Sequence, residues 1–320
     1  ILTAHGKRMA GWDEILHADL PGSTLIQSWR GQESLGKGAA QGFSGILSAG
    51  WYLDHMRTAE FHYLVDPLPD GNPPTPVQAG RVLGGEACMW GEPLTPQSID
   101  SRIWPRLGVI AERLWSPREV RDVPDMYRRL EVMRGRLAQL GLGHESHTAR
   151  MAETLAGPGG AEVLTRFLGL TEPIRFGERV SAQLLTQPVP LIFAVDAARP
   201  DPPAQWAARV LVMRALERDT AARRSLQLTL AEWEALAAQV DSMALRAPAV
   251  QGAVPAAAAL ARVAAIGREA LALLDVGAPA APGWSRERLA ELDLLAKPQG
   301  LLRITVIPAV RRLVEGVAAQ

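Results

Sequence analysis

The sequence predicts an α/β fold with a parallel sheet over residues 1–148, followed by an α-helical region over 149–320. Three observations predict it. Up to about residue 115, short apolar runs alternate with helix-forming stretches, as expected of βα units. Four of those runs lead into segments rich in Trp, Tyr, Asp and Glu. Beyond about residue 150 the composition shifts to Ala, Leu, Arg and Glu, with apolar residues at helical spacing. Six of the nine Trp and all six His lie before residue 148, which marks the same division.

The strand candidates come first in the chain. Arg8 to Trp12 leads into Gly11-Trp12-Asp13-Glu14, and Thr24-Leu25-Ile26-Gln27-Ser28-Trp29 forms a second run. Gly45-Ile46-Leu47-Ser48-Ala49 precedes Gly50-Trp51-Tyr52-Leu53-Asp54, and Arg81-Val82-Leu83-Gly84-Gly85 precedes Glu86 to Glu92. Between the second and third, Ser34 to Gln41 is a short helix closed by Gly42. Asp66 to Pro76 is a loop rich in Pro, Gly and Asn. Ser98 to Ser116 predicts a helix with Ile103, Leu107, Ile110 and Leu114 on one face. Pro105 should kink it or mark its first true turn. Pro124 to Leu140 is a further helix ended by Gly141.

In the second part no strand is expected. Ala161 to Leu168, Gly177 to Leu185, Ala204 to Thr220, Thr229 to Leu245 and Ala256 to Leu274 are helix candidates. Thr186 to Pro203, with five prolines, reads as a loop, and two more helices follow Gly277 to Pro282.

Composition narrows the function classes. At 48% hydrophobic and 21% charged, the chain is of ordinary globular composition. Its formal net charge of zero gives no electrostatic reason to expect nucleic acid or an anionic membrane as a partner. No uninterrupted apolar run approaches the ~20 residues of a membrane helix. The single cysteine, Cys88, precludes an intrachain disulfide and reads as a small buried hydrophobe. The six His show no metal-ligand spacing, so neither metal nor other cofactor is expected. The first residues, Ile1-Leu2-Thr3, read as those of a processed or truncated piece.

The site candidates follow from the strand ends. Any one of Trp12, Trp29 and Trp90 could be a core residue. Placed at the C-terminal ends of strands in one parallel sheet, the three would face one mouth. Their flat faces suit a sugar ring, and fixed carboxylates suit its hydroxyls. Tyr52 and Asp54 are two apart, so in extended backbone both enter one cleft; Trp90 and Glu92 repeat that spacing. Asp54 could instead be a helix N-cap. The adjacent Asp13-Glu14 pair reads as a helix start rather than a catalytic pair. Glu86, if buried, needs a partner, and Arg102, Arg106 or Arg113 could serve.

These words resemble glycoside hydrolase family 20, the β-N-acetylhexosaminidases. They are Gly-Trp-Asp-Glu-Ile-Leu at 11–16, Gln-Ser-Trp-Arg-Gly at 27–31, Ser-Ala-Gly-Trp-Tyr-Leu-Asp at 48–54 and Leu-Gly-Gly-Glu-Ala-Cys-Met-Trp-Gly-Glu at 83–92. Ile-Trp-Pro-Arg at 103–106 and Ala-Glu-Arg-Leu-Trp-Ser-Pro at 111–117 continue the series. The resemblance covers roughly residues 1–140. It implies strands five to eight of a (β/α)8 TIM barrel, and a helical C-terminal extension like that of some bacterial members.

The resemblance also implies hydrolysis of terminal β-linked N-acetylglucosamine or N-acetylgalactosamine, with the sugar's own acetamido oxygen as nucleophile. Trp12, Trp29 and Trp90 would wall the sugar, Tyr52 would donate to the acetamido oxygen, and Asp54 and Glu92 would hold O4 and O6. The family's His-x-Gly-Gly-Asp-Glu word, which carries the general acid, does not occur here, and neither does a sugar-binding Arg of the first strand. The implied partners are an N-acetylhexosamine-terminated oligosaccharide or glycoconjugate and an upstream half of the barrel, with no nucleic acid and no membrane. A periplasmic or secreted location is the corresponding expectation. The alternatives are a non-catalytic N-acetylhexosamine-binding protein and a helical interaction protein.

Overall fold

Four strands, β1 (Ala10–Trp12), β2 (Leu25–Ser28), β3 (Ser44–Leu47) and β4 (Val82–Gly85), form one sheet in the computed structural model. All pairs are parallel and the order is sequential, β1-β2-β3-β4. The structure describes residues 1–17, 19–69, 74–183, 193–277 and 280–319. By packing the chain divides into two units, Ile1–Gly91 with Ile103–Leu140, and Glu92–Arg102 with Gly141–Gln320.

In the first unit, parallel neighbours require crossovers, and helices supply them. α1 (Gln32–Ala40) joins β2 to β3. Between β3 and β4 lie α2 (Ala59–Leu64), with its N-terminus capped by Thr58, and α3 (Pro76–Ala79), opened by a Thr75/Gln78 capping box. The expected loop from Asp66 therefore ends in a helical turn, and its residues 70–73 lie outside the described ones. The core gathers Leu35, Leu47, Trp51, Leu53 and Ile110.

The expected Ser98–Ser116 helix is two helices, α4 (Ile99–Ile103) and α5 (Arg106–Trp115), separated at a cis Trp104–Pro105 bond. Pro105 marks the first turn of α5, as its missing N–H favours. Ile110 is buried, but Leu114 is 38% exposed, so the apolar face is narrower than the spacing predicts. α6 (Val123–Gln139) is capped by the Asp122 side chain and followed by Gly141 in the left-handed region.

The second unit holds α7 (His147–Ala156), α8 (Ala161–Leu168), α9 (Phe176–Gln183), α10 (Ala194–Ala197) and α11 (Pro203–Leu216). α12 (Thr220–Ala244), α13 (Val254–Val276), α14 (Trp284–Leu295) and α15 (Ile307–Ala318) follow. α12 starts nine residues before the expected Thr229, because Asp219 caps it. Of the expected 186–203 loop, 186–192 lie outside the described residues, and α10 occupies part of the rest. The expectation of no strand is corrected: β5 (Thr171–Pro173) and β6 (Leu302–Ile304) pair antiparallel across more than a hundred residues. Neither is long enough to show a period in the sequence.

Although no uninterrupted apolar run approaches ~20 residues, Pro248–Val276 is long and apolar enough to cross a membrane by length and composition. Its packing accounts for its apolarity. α13 lies against α12 and α15, and Leu260, Val263, Ala264, Ile266 and Ala270 are fully buried. A helix surrounded by other helices is apolar on most of its faces.

Candidate active site

The chemistry-bearing side chains lie where the four parallel strands end. Trp12 is the last residue of β1, and Asp13 to Ile15 form a 3₁₀ turn directly after it. Asp13 is buried and accepts from the Ser28 hydroxyl and the Arg30 amide, both at 3.4 Å. Glu14 accepts the Trp29 indole N–H at 2.8 Å and lies 2.9 Å from the Arg30 guanidinium. A backbone hydrogen bond first, then Trp29 and Arg30, hold its carboxyl below the usual range. Asp13-Glu14 thus ties β1 to β2 and begins a turn, not a longer helix.

Trp29 is half-exposed, with the Arg30 guanidinium 5.3 Å from its ring centre. Trp12 and Trp90 come together, their ring centres 6.3 Å apart at 36°. Those two rings, contributed by β1 and by the segment after β4, make one aromatic wall.

Tyr52 and Asp54 sit on the tight turn after β3, both buried. Gly50 enters that turn at φ +88°, which an L side chain rarely adopts. Trp51 is fully buried in the core, and the backbone of Gly85 runs against its ring. A Cβ there would sit 1.9 Å from Trp51 Cζ3. Cys88 N donates to Trp51 O at 3.1 Å, and Leu53 N donates to Cys88 O at 2.8 Å. These bonds lock the Tyr52 turn to the segment after β4. The Asp54 carboxylate accepts the Trp90 amide at 3.4 Å, and the His55 ring stacks on Tyr52 at 4.9 Å. Burial first, then Cys88 and Asp54, raise the Tyr52 hydroxyl well above its usual range, so it stays a proton donor.

A buried arginine sets this turn from behind. Arg106 donates to Leu53 O at 2.9 Å and to Arg57 O at 2.6 Å. His62 bonds Gly50 O through Nδ1 at 2.7 Å and faces Arg106 through Nε2 at 3.4 Å. Nδ1 therefore carries the proton. Burial, then Arg106, lower His62 to about 3.

Glu86 is exposed, so the condition for an arginine partner is not met, and it accepts from Gln27 Nε2 at 2.5 Å. Arg113 instead holds Ser116, Pro117 and Val120 carbonyls, and Arg102 holds those of Asp196 and Ala198. Cys88 is half-buried rather than a core hydrophobe, and burial raises its thiol above the usual range. Glu92 is exposed and is the first residue of the second unit. Sequence reasoning passed over Gln27 and Ser48, whose side chains meet beside Glu86. The strand period of two, which puts Gln27 and Leu25 on one face and Ile26 in the core, was the signal that could have found the first of them.

The comparisons with known proteins bear on the same residues. The model for the glycosyl hydrolase family 20 catalytic domain matches residues 1–118. β-Hexosaminidase subunit β of Felis catus is 40% identical over 143 residues, 42% of this chain and 26% of that one. The human subunit β is 37% identical over 150 residues, 44% and 27% of the two chains. This chain spans about a quarter of the length of these relatives. The chitobiase of Flavobacterium johnsoniae matches 98% of this chain over 48% of its own, at 29% identity and a TM-score of 0.83. The four parallel strands, the aromatic wall and the Tyr52 turn all lie inside residues 1–118, the segment that is similar to the glycosyl hydrolase family 20 catalytic domain.

Proposed function

We propose that the chain is the C-terminal part of a β-N-acetylhexosaminidase. In this reading β1 to β4 are strands five to eight of a (β/α)8 barrel, and residues 149–320 are a helical C-terminal extension. The single observation that carries it is the placement of Trp12, Tyr52, Asp54 and Trp90 at or after the ends of β1, β3 and β4 of one parallel sheet, where barrel enzymes build their sites. The names of the relatives, β-hexosaminidases and a chitobiase, agree with it.

The substrate class is a glycan ending in β-linked N-acetylhexosamine. Trp12 and Trp90 stack against its ring and acetamido group, and Trp29 closes the rim. Tyr52 donates to the acetamido oxygen, which attacks the anomeric carbon as the glycosidic bond breaks; the aglycone oxygen leaves with the general acid's proton and an oxazolinium ion remains. Water then opens that ion, so configuration is retained. Holding the acetamido group in place converts a bimolecular attack into an intramolecular one. Asp54 accepts from a sugar hydroxyl, which selects a terminal residue. The general acid and its neighbouring Asp come from an upstream half of the barrel.

The test is the intact mass and N-terminal sequence of the native protein, followed by assay with p-nitrophenyl N-acetyl-β-D-glucosaminide. An upstream Asp-Glu word and hydrolysis with retention support the reading. Because no His-x-Gly-Gly-Asp-Glu word occurs in this chain, the rival reading is a non-catalytic N-acetylhexosamine-binding protein. Binding of the sugar by the native protein without turnover would establish that one instead.

A further inference from the structure

The Ser-Ala-Gly-Trp-Tyr-Leu-Asp word ends at Asp54, one residue before His55. The His55 ring stacks on Tyr52, with ring centres 4.9 Å apart and planes at 18°. The backbone dictates this pairing. Leu53–His55 is a single 3₁₀ turn with Tyr52 at its N-terminus, and the His55 N–H donates to Tyr52 O at 3.2 Å. Side chains three apart eclipse in such a turn, so residue 55 lies over residue 52.

The turn is held on both sides of His55. Met56 closes it at φ +55°, a left-handed conformation uncommon for a residue with a side chain. The Met56 side chain is buried, which anchors that conformation, and its N–H donates to Leu53 O at 3.3 Å. Arg106 donates to Leu53 O and Arg57 O, the carbonyls two residues before and after His55. The imidazole also has a fixed edge, since Nε2 lies 4.0 Å from Asp54 Oδ2. Burial of the inner face, opposed by Asp54 and aided by Arg57, holds the ring below its usual protonation range. The ring on Tyr52 is therefore neutral at neutral pH.

Backbone bonds fix where a tyrosine side chain begins, not where its hydroxyl ends, because the side-chain torsions have several wells. A flat ring lying on the phenol narrows that choice. We propose that His55 is a positioning residue whose imidazole, stacked on Tyr52, holds the phenol at the angle from which its hydroxyl reaches the substrate's acetamido oxygen. The inference rests on the reading of Tyr52 given above.

The experiment is a double-mutant cycle in the full-length protein, read as kcat and KM on p-nitrophenyl N-acetyl-β-D-glucosaminide. His55→Ala and His55→Phe are each made alone and with Tyr52→Phe. His55→Ala should lower kcat about three- to tenfold, the range a lost aromatic pair allows, with KM changed little. His55→Phe restores a flat ring without the imidazole nitrogens and should recover most of that loss. In the Tyr52→Phe background the donor is gone, so neither substitution should cost more. The His55 side chain is 49% exposed, so neither variant empties a core position, and His55→Phe keeps the cycle informative even where His55→Ala melts early. Wild-type kcat in His55→Ala, a His55→Phe variant as slow as His55→Ala, or equal losses with and without the Tyr52 hydroxyl overturns the proposal. A fully active Tyr52→Phe variant overturns the reading of Tyr52 itself, and a native protein that binds the sugar without turnover overturns the enzyme. Both failures are distinguishable from failure of the stack.

Discussion

At the scale of single residues, the decisive features are side chains that the fold brings close from distant positions. Tyr52 lies on a turn fixed by Gly50, by the Cys88 backbone and by Arg106. If it donates to developing charge on the acetamido oxygen, Tyr52→Phe should lower kcat by about 10²–10³. Steady-state kinetics on the full-length protein decides this, and unchanged turnover removes Tyr52 from the mechanism. Gly85 gives a stability prediction of its own. An added Cβ would overlap the buried Trp51 ring, and neither the strand backbone nor a core tryptophan can easily yield. Gly85→Ala should therefore cost about 1–3 kcal/mol in a denaturant melt. The positions of Trp12, Tyr52 and Asp54 at strand ends were legible as words in the sequence. The Gln27–Glu86 contact was not, because 59 residues separate its partners and each alone is an ordinary polar residue.

At the scale of elements, the turn carrying Tyr52 and Asp54 depends on α2 and α5. His62 in α2 and Arg106 in α5 donate to three backbone carbonyls of the segment Gly50 to Arg57. Arg106→Met should destabilise the first unit by about 2–4 kcal/mol, since buried acceptors lose their donor. A melt followed by tryptophan fluorescence measures it. His62 adds a pH dependence. Its folded pKa of about 3 lies below the ordinary value of 6.5, because burial and Arg106 disfavour the cation. His147 in α7 is lowered to about 3 in the same way, by burial and then Arg102. The unfolded chain thus binds more protons between those values. Stability is fully present above about pH 6.5 and is lost progressively as pH falls toward about 3. Urea midpoints should drop between pH 7 and pH 4.5, and His62→Gln should flatten the first unit's share of that slope. The element pattern itself was readable where caps and periods agreed, as at α6 and α8. It failed where a cap lay upstream of the visible period, as Asp219 does for α12, and where strands were only three residues long.

At the scale of the whole molecule, the two units carry different work in the proposed reading. The sheet of the first unit ends in two parallel edges, β1 and β4, and Leu83 on β4 is 61% exposed. Unpaired parallel edges invite pairing. Residues 1–320 expressed alone should therefore self-associate or require an upstream half; light scattering that shows a monodisperse, cooperatively melting monomer would count against this. The second unit has its own extended core around α12 and α13. Trp233, buried in it, offers a contrast with Trp12. Trp233→Ala should lower stability by about 3–5 kcal/mol and leave N-acetylglucosamine affinity unchanged, whereas Trp12→Ala should weaken that affinity. Calorimetric titration of both variants separates a sugar site in the first unit from a helical interaction protein.

The sequence by itself determined the class of the fold, the order of its strands and the short words that place Trp, Tyr and Asp at strand ends. Those properties are local: hydrophobic period, turn residues and neighbours along the chain suffice to specify them. The tertiary structure alone decided that Glu86 faces Gln27 rather than an arginine and that Arg106 lies behind the Tyr52 turn. It also decided that β5 meets β6 and that the apolar α13 is wrapped by other helices. Each of these joins residues far apart in the chain. Their partners are chosen by burial and by the need of every buried donor and acceptor for a mate, which no local pattern encodes.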